Sequence, residues 1–278
     1  MRSLLVSGLI ALTGWAGGTG VAGPARSAEG LTVSWTNNLL TVQGPNLPGG
    51  KLEIWYLEAF CRAGSTDRDW HQTTLPHKTT LSSASRDGKR LRLVTRVQPE
   101  VEVTHEVRAS ADEVEFRFRL TNRGRERVDL EWFQPACIRV DRFTGRNQND
   151  YIGRSFIFTE RGLTTMDQTR RREEALYRGG QVYVPANINL EDVNPRPISP
   201  EQPSNGLIGC FSFDDQWLLA TAWDHTHELF QGVYVCLHSD PHIGGLAPGQ
   251  TKKVRGKLYL LKNDTAALLQ RYRRDFGR

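Results

Sequence analysis

Alternation of apolar and polar residues dominates the first half of the chain and constrains its fold most strongly. Between residues 31 and 140 the apolar side chains recur at every second position, as in the Val, Phe, Phe and Leu of 114–120. A spacing of two places them all on one face of a β-strand. Turn sequences such as Asp87-Gly88 and Asn122-Arg123-Gly124 separate the runs, which predicts strands joined by tight antiparallel connections.

The second half repeats this pattern less regularly. It predicts strands at Tyr151–Thr159, Leu207–Phe213, Trp217–Trp223, Gly232–His238 and Lys253–Leu261, and a final helix that begins at Asn263 or Asp264. Between them, Pro185–Asn205 carries five prolines and no periodicity, which is typical of a loop that covers a site or of a disordered connector. We therefore expect an all-β protein, a two-layer antiparallel β-sandwich with one C-terminal helix.

The N-terminal residues predict export. Arg2 precedes an apolar stretch, Leu4–Ala16, and small residues follow, so that residues 1–28 have the layout of a cleavable signal peptide. An uncleaved N-terminal anchor is the alternative. No later stretch has the ~18 uninterrupted apolar residues of a membrane helix. We expect residues 29–278 to form a single β-sandwich domain, secreted or periplasmic, without a stable membrane span.

The formal charge of the chain limits the classes of partner that it is expected to bind. The formal charge of +5 falls to +3 without residues 1–28, which hold two arginines and no acidic residue. So weak and dispersed a charge argues against nucleic acid binding and suits a neutral or an acidic glycan.

The four cysteines, Cys61, Cys137, Cys210 and Cys236, lack CxxC spacing. In an exported protein they form one or two disulfides, or remain buried free thiols.

Two segments carry a resemblance to a known family. Residues 113–124, EVEFRFRLTNRG, lead into Val128–Trp132, and GLAPGQ at 245–250 precedes the last strand. Both are similar to hairpins of galactose-mutarotase-like supersandwich proteins. The resemblance implies a large sandwich that binds a sugar in a groove on one sheet, as mutarotases, some polysaccharide lyases and accessory carbohydrate domains do. The catalytic His and Glu of the epimerases have no position-by-position match here.

Histidines concentrate in one short region. Four of the seven lie within 18 residues, among three carboxylates. Three interpretations compete: acid–base or sugar-binding chemistry, a metal site of imidazoles and a carboxylate, and polar residues at strand ends with no chemical role. The first assigns catalysis to His225, His227, Glu228 and His238, and substrate binding to Asp240 and His242.

Two residues outside this region are also candidates for substrate binding. Trp70 lies in a polar stretch, DRDWHQ, which suits an exposed platform for a sugar ring better than a core position. Arg139 offers a fork of donors for a carboxylate or hydroxyl. No GxSxG elbow, phosphate loop or dinucleotide fingerprint occurs, and no cofactor or metal ligand set is assigned.

The sequence thus predicts a secreted carbohydrate-interacting protein that acts on a sugar or polysaccharide by His/carboxylate acid–base chemistry. Two alternatives stay open. One is a non-catalytic envelope or extracellular binding module, and the other is a metal-dependent hydrolase that uses the histidines of 225–242.

Overall fold

The computed structural model describes residues 30–65, 69–145, 147–177 and 180–277. The predicted signal peptide, residues 1–28, lies outside the described residues. Within the described ranges, no helix has both the length and the apolar character needed to cross a membrane.

Eighteen strands are the main secondary structure of the described residues. In chain order they are β1 Thr32–Thr36, β2 Leu39–Gln43, β3 Lys51–Trp55, β4 Ala59–Cys61, β5 His77–Ala84, β6 Arg90–Val97, β7 Val101–Ala109, β8 Glu113–Asn122, β9 Trp132–Gln134, β10 Cys137–Arg139, β11 Ser155–Thr159, β12 Gly162–Thr165, β13 Gln181–Tyr183, β14 Ile208–Phe211, β15 Trp217–Trp223, β16 Thr226–Gln231, β17 Cys236–Pro241 and β18 Thr251–Lys262.

These strands form two large antiparallel sheets, which confirms the predicted fold class. One sheet has seven strands in the order β1-β2-β3-β10-β17-β16-β13, and the other has nine in the order β12-β11-β14-β15-β18-β8-β7-β6-β5. A small two-stranded sheet pairs β4 with β9. The meander β5-β6-β7-β8 follows directly from the alternating sequence, because each strand can bury one face only.

The main core lies between the two sheets. From the seven-stranded sheet it contains Leu40 and Ile54, and from the nine-stranded sheet Val103 and Phe116, all at most 1% exposed. In β8 every second residue from Val114 to Leu120 is buried, as the spacing predicts. Burial of each such large apolar side chain contributes about 1.5–3 kcal/mol.

Among the described residues, five α-helices accompany the sheets: α1 Trp70–Thr73, α2 Asp141–Thr144, α3 Gln148–Arg154, α4 Glu173–Tyr177 and α5 Thr265–Phe276. The predicted C-terminal helix is α5. Its N-cap is Asp264, whose carboxylate accepts from the Ala267 N–H at 2.9 Å. Leu268 and Tyr272 are its buried residues, and they join a second apolar cluster on the far side of the nine-stranded sheet.

Some strand boundaries differ from the prediction. The strand predicted at Tyr151–Thr159 begins only at Ser155, because the preceding residues form α3, which Asn147 caps by accepting from the Asp150 N–H at 2.8 Å. The strand predicted at Gly232–His238 is instead β17, which starts at Cys236. The Gly232 N–H donates to the Cys236 carbonyl at 2.8 Å and closes a turn there.

Two further differences affect the region of the predicted site. Of the strand expected at Val128–Trp132, only Trp132 is in β9, whereas Val128 makes an isolated bridge with Leu246. His225 and His227 do not share one strand. His225 has a φ of 50° and lies in the turn before β16, and a bulge follows between Thr226 and Glu228.

Residues 185–205 are all described and contain no helix or strand. An isolated parallel bridge between Val182 and Ile198 fixes the segment to β13. The segment lies against the edge of the seven-stranded sheet and contributes walls to two pockets.

Candidate functional site

A pocket of about 460 Å³ lies on the side of the seven-stranded sheet that faces away from the core. We call it the His238 pocket. The residues whose chemistry matters here are Glu58, Trp70, Gln134, Cys137, Cys236 and His238.

Strand register explains why these side chains meet. β17 alternates, so that Leu237 joins the core while Cys236 and His238 point to the opposite face. The neighbouring strand β10 pairs Ile138 with Leu237. Cys137 therefore lies beside His238, on the pocket face.

His238 is the most constrained polar group of the pocket, with a side chain only 2% exposed. Its Nε2 lies 3.5 Å from Cys236 Sγ and 3.7 Å from Glu58 Oε2. Burial lowers the pKa of His238, but the negative charges of Cys236, Asp240 and Glu58 outweigh burial and raise it to about 10. The imidazole is therefore protonated at neutral pH.

Asp240 supports His238 from behind. It is fully buried, and its Oδ1 lies 3.8 Å from His238 Nδ1. Gln134 Nε2 donates to the other carboxyl oxygen at 3.1 Å. Among the described residues, neither Asp240 Oδ1 nor His238 Nδ1 has a hydrogen-bond partner. Burial raises the pKa of Asp240 well above its usual range. Asp240 thus contacts His238 and is not a residue of the pocket surface. The sequence-based prediction had placed it in direct contact with substrate.

The two thiols of the pocket interact with each other. The Cys137 side chain and the nearby imidazolium lower the pKa of Cys236 well below its usual range, against the effect of burial. The pKa of Cys137 is raised correspondingly. All four cysteines of the chain are free and buried.

Trp70 is half-buried at the pocket rim. It lies in α1, not in the polar loop that its neighbours predict, because Asp69 caps that helix by accepting from the His71 N–H at 2.7 Å. The ring packs against Trp132 at a centroid distance of 6.4 Å. One part of the ring is therefore fixed and another part faces the pocket.

His227 and Glu228 lie in the interior, with side chains at most 1% exposed. The His227 ring stacks between Trp132 at 5.3 Å and His242 at 5.7 Å. Glu228 accepts from the Asn194 N–H at 2.9 Å, and its Oε2 lies 3.4 Å from His227 Nδ1. Both residues support the wall behind the pocket.

His225 and His242 belong to a different pocket of about 520 Å³, between the 185–205 segment and α5. His242 Nε2 is 2.6 Å from Glu131 Oε1, and this hydrogen bond is the main reason that the pKa of Glu131 is lowered. The histidines of 225–242 are thus divided between two pockets and the interior between them.

Arg139 lies on the pocket face of β10, directly across from Cys236 and Glu53. Its guanidinium stands 5.6 Å from the centroid of the Trp55 ring. Trp55 is 46% exposed, so the pair extends the polar and aromatic surface beyond the pocket itself.

One group of three metal-binding side chains occurs among the described residues, and its ligand atoms lie within 4.8 Å of one another: Cys137, Cys236 and His238. The four histidines that suggested a metal site do not gather around one point. Sequence reasoning missed Glu58, Gln134 and the two thiols as site residues. Only the spacing of Cys236 and His238, two apart in a predicted strand, offered a signal.

Comparisons with known proteins complete this description. No family model and no curated protein matches the sequence. Among solved structures, similarity is found to a putative aldose 1-epimerase from Escherichia coli K12, at 12% identity and a TM-score of 0.43, over 84% of this chain and 99% of that one.

Two further structures are of the same kind. A galactose mutarotase-like protein from Lactobacillus casei ATCC 334 gives 9% identity and a TM-score of 0.44, over 83% of this chain and 100% of that one. A putative mutarotase from Salmonella typhimurium gives 7% identity and a TM-score of 0.41, over 84% and 94%. Mutarotase-like structures are thus among those found to be similar, as the sequence resemblance predicts.

Proposed function

We propose that the protein binds a carbohydrate in the His238 pocket. The observation that carries this proposal is the composition of one pocket wall: an indole ring at the rim, with a carboxylate, an amide and an imidazole below it. Sugars present apolar C–H faces that stack on aromatic rings, and hydroxyl groups that need polar partners. A concave site with a few convergent polar groups is the usual form of a small-molecule site.

We further propose that Glu58 and His238 move protons on the bound sugar. Glu58 is 37% exposed and accepts a proton from a sugar hydroxyl. The His238 imidazolium donates a hydrogen bond to a sugar oxygen that gains negative charge. The 3.7 Å between Glu58 Oε2 and His238 Nε2 allows both groups to contact neighbouring atoms of one ligand.

A glycan-binding screen with neutral and acidic oligosaccharides tests the binding step. Trp70→Ala removes the stacking surface and is expected to weaken binding at least tenfold, about 1.4 kcal/mol. Phe213→Ala is the matched control, because Phe213 is a 51% exposed aromatic residue outside the pocket. Equal affinity of the wild type and Trp70→Ala, or retention of no glycan, contradicts the proposal.

Glu58→Gln separates an enzyme from a binding module. In an enzyme, Glu58→Gln keeps glycan affinity and loses turnover. In a non-catalytic module, the wild type binds glycan without converting it, and the substitution has no turnover to remove.

Export belongs to the proposal as well. Its support is the layout of residues 1–28. Intact-mass analysis of the protein from the producing cell is expected to show cleavage after Ala22 or Ala28, and a chain that keeps these residues in the cytoplasm contradicts export.

A further inference from the structure

We propose that Cys137, Cys236 and His238 form a zinc-binding site at the floor of the His238 pocket. The site is independent of carbohydrate binding, because it needs only these three side chains and their supporting residues.

Distances fit a tetrahedral ion. A Zn²⁺ ion about 2.3 Å from a sulfur and about 2.05 Å from an imidazole nitrogen holds these two atoms roughly 3.6 Å apart at tetrahedral angles. Cys236 Sγ and His238 Nε2 are 3.5 Å apart, and the third ligand atom, Cys137 Sγ, lies within 4.8 Å of both. Little movement is therefore needed to place one ion among them.

The backbone holds these ligands in place. Cys236 and His238 alternate on β17, and Cys137 lies on the strand hydrogen-bonded to it, β10. All three are buried. A site built on paired strands in the middle of a sheet keeps its ligands at fixed separations.

The surroundings of His238 point to a metal ligand independently. Nε2 faces the two thiols, while Nδ1 faces Asp240 Oδ1 at 3.8 Å. Both atoms are buried with no hydrogen-bond partner in the part of the chain that the structure describes, an arrangement that needs a reason. Metal-bound imidazoles commonly donate their other N–H to a carboxylate, which fixes the ring and its tautomer. Gln134 in turn holds Asp240, at 3.1 Å.

Ligand chemistry selects the ion. Two thiolates and an imidazole favour Zn²⁺ over hard ions such as Mg²⁺ and Ca²⁺, which take oxygen ligands. On binding, both thiols and His238 Nε2 release to solvent any proton that they carry, and two thiolates balance the charge of the ion. The fourth position faces the pocket, where Glu58 Oε2 lies 3.7 Å from Nε2.

A zinc ion takes the Nε2 atom that the proposed acid–base role of His238 uses, so that role belongs to the zinc-free protein. Trp70 is not a ligand, so glycan binding does not need the zinc site. Failure of one proposal therefore leaves the other intact.

The test is titration of the reduced, chelator-treated full chain with Zn²⁺, and with Co²⁺ as a spectroscopic probe. We expect one ion per chain, a thiolate-to-cobalt charge-transfer band, and visible bands of tetrahedral cobalt. Cys137→Ser, Cys236→Ser and His238→Gln each remove a ligand and are expected to weaken Zn²⁺ at least 100-fold. Asp240→Asn leaves the three ligands in place and is expected to weaken it about 10- to 100-fold.

Cys61→Ala and Cys210→Ala are the matched controls, since both thiols are buried outside the pocket, and they are expected to keep full affinity. A thermal melt with and without Zn²⁺ checks folding: zinc should raise the Tm of the wild type and of both controls, and not that of the three variants that lack a ligand. The proposal is overturned if the reduced wild type binds no Zn²⁺, if Mg²⁺ binds equally well, or if folded Cys236→Ser shows the wild-type cobalt spectrum. A Cys137–Cys236 disulfide in the protein as isolated also overturns it.

Discussion

His105 makes the stability of this protein depend on pH in a way that can be worked out from its surroundings. It occupies an inward position of β7, is 4% exposed, and stacks on Phe118 at 5.1 Å. Its Nδ1 is 2.9 Å from the Tyr56 hydroxyl and its Nε2 is 3.0 Å from Thr95 Oγ1. Burial lowers its pKa from 6.5 to about 3.

The direction of this pKa shift determines whether a fall in pH raises or lowers the stability of the folded protein. The folded protein holds His105 neutral, and the unfolded chain takes up a proton below a pKa of 6.5. The stabilisation is therefore complete above pH 6.5 and is lost as the pH falls toward 3. Between pH 7 and pH 5 the loss from this one histidine is about 2 kcal/mol, at 1.36 kcal/mol per pKa unit.

Urea unfolding of the wild type and of His105→Gln at pH 7 and pH 5 measures this loss. Glutamine can hydrogen-bond to Tyr56 and Thr95 but does not titrate, and the other ionisable groups cancel in the comparison. We expect the wild type to lose about 2 kcal/mol more than His105→Gln between the two pH values. Equal losses refute the assignment of a neutral buried His105.

Four further substitutions test other parts of the structure. Gly256→Ala would place a Cβ 2.3 Å from the Trp223 ring and should cost about 1–3 kcal/mol or more in chemical denaturation. Gly153→Ala, exposed in α3 with its nearest atom 3.9 Å away, should be neutral or stabilising by about 0.5–1 kcal/mol. Asp264→Ala removes the cap of α5 and should cost about 1 kcal/mol in the same assay. Glu58→Gln should lower any sugar turnover by roughly 10²–10⁴ while glycan affinity, measured by calorimetry, is unchanged.

The strands that were predicted well are those whose pattern is local. In β8 the residues from Val114 to Leu120 alternate because one face packs on the core, and a window of seven residues suffices to recognise it. The C-terminal helix likewise carries its own cap and apolar stripe. Where a short helix replaced a predicted strand, as at Tyr151, the deciding interaction was a single cap at Asn147.

The candidate site was less predictable because it depends on which strands are neighbours. Cys137 and His238 are distant in the chain, and only the pairing of β10 with β17 brings them together. For the histidines, closeness in the sequence suggested a closeness in space that the fold does not provide. His225 and His238 lie close in the chain, yet the turn at His225 and the hairpin between β16 and β17 direct them to different pockets.

The 185–205 segment can link ligand binding in the two pockets that it lines. Asn194 and Arg196 line the His238 pocket, while Asn187 and Ser204 line the pocket of His225 and His242. If a ligand in one pocket shifts the whole segment, the shape of the other pocket changes with it. The two binding equilibria are then linked, and the factor by which one ligand changes the affinity of the second equals the factor in the reverse direction. Measuring each affinity with the other pocket saturated would give that factor twice, by independent routes.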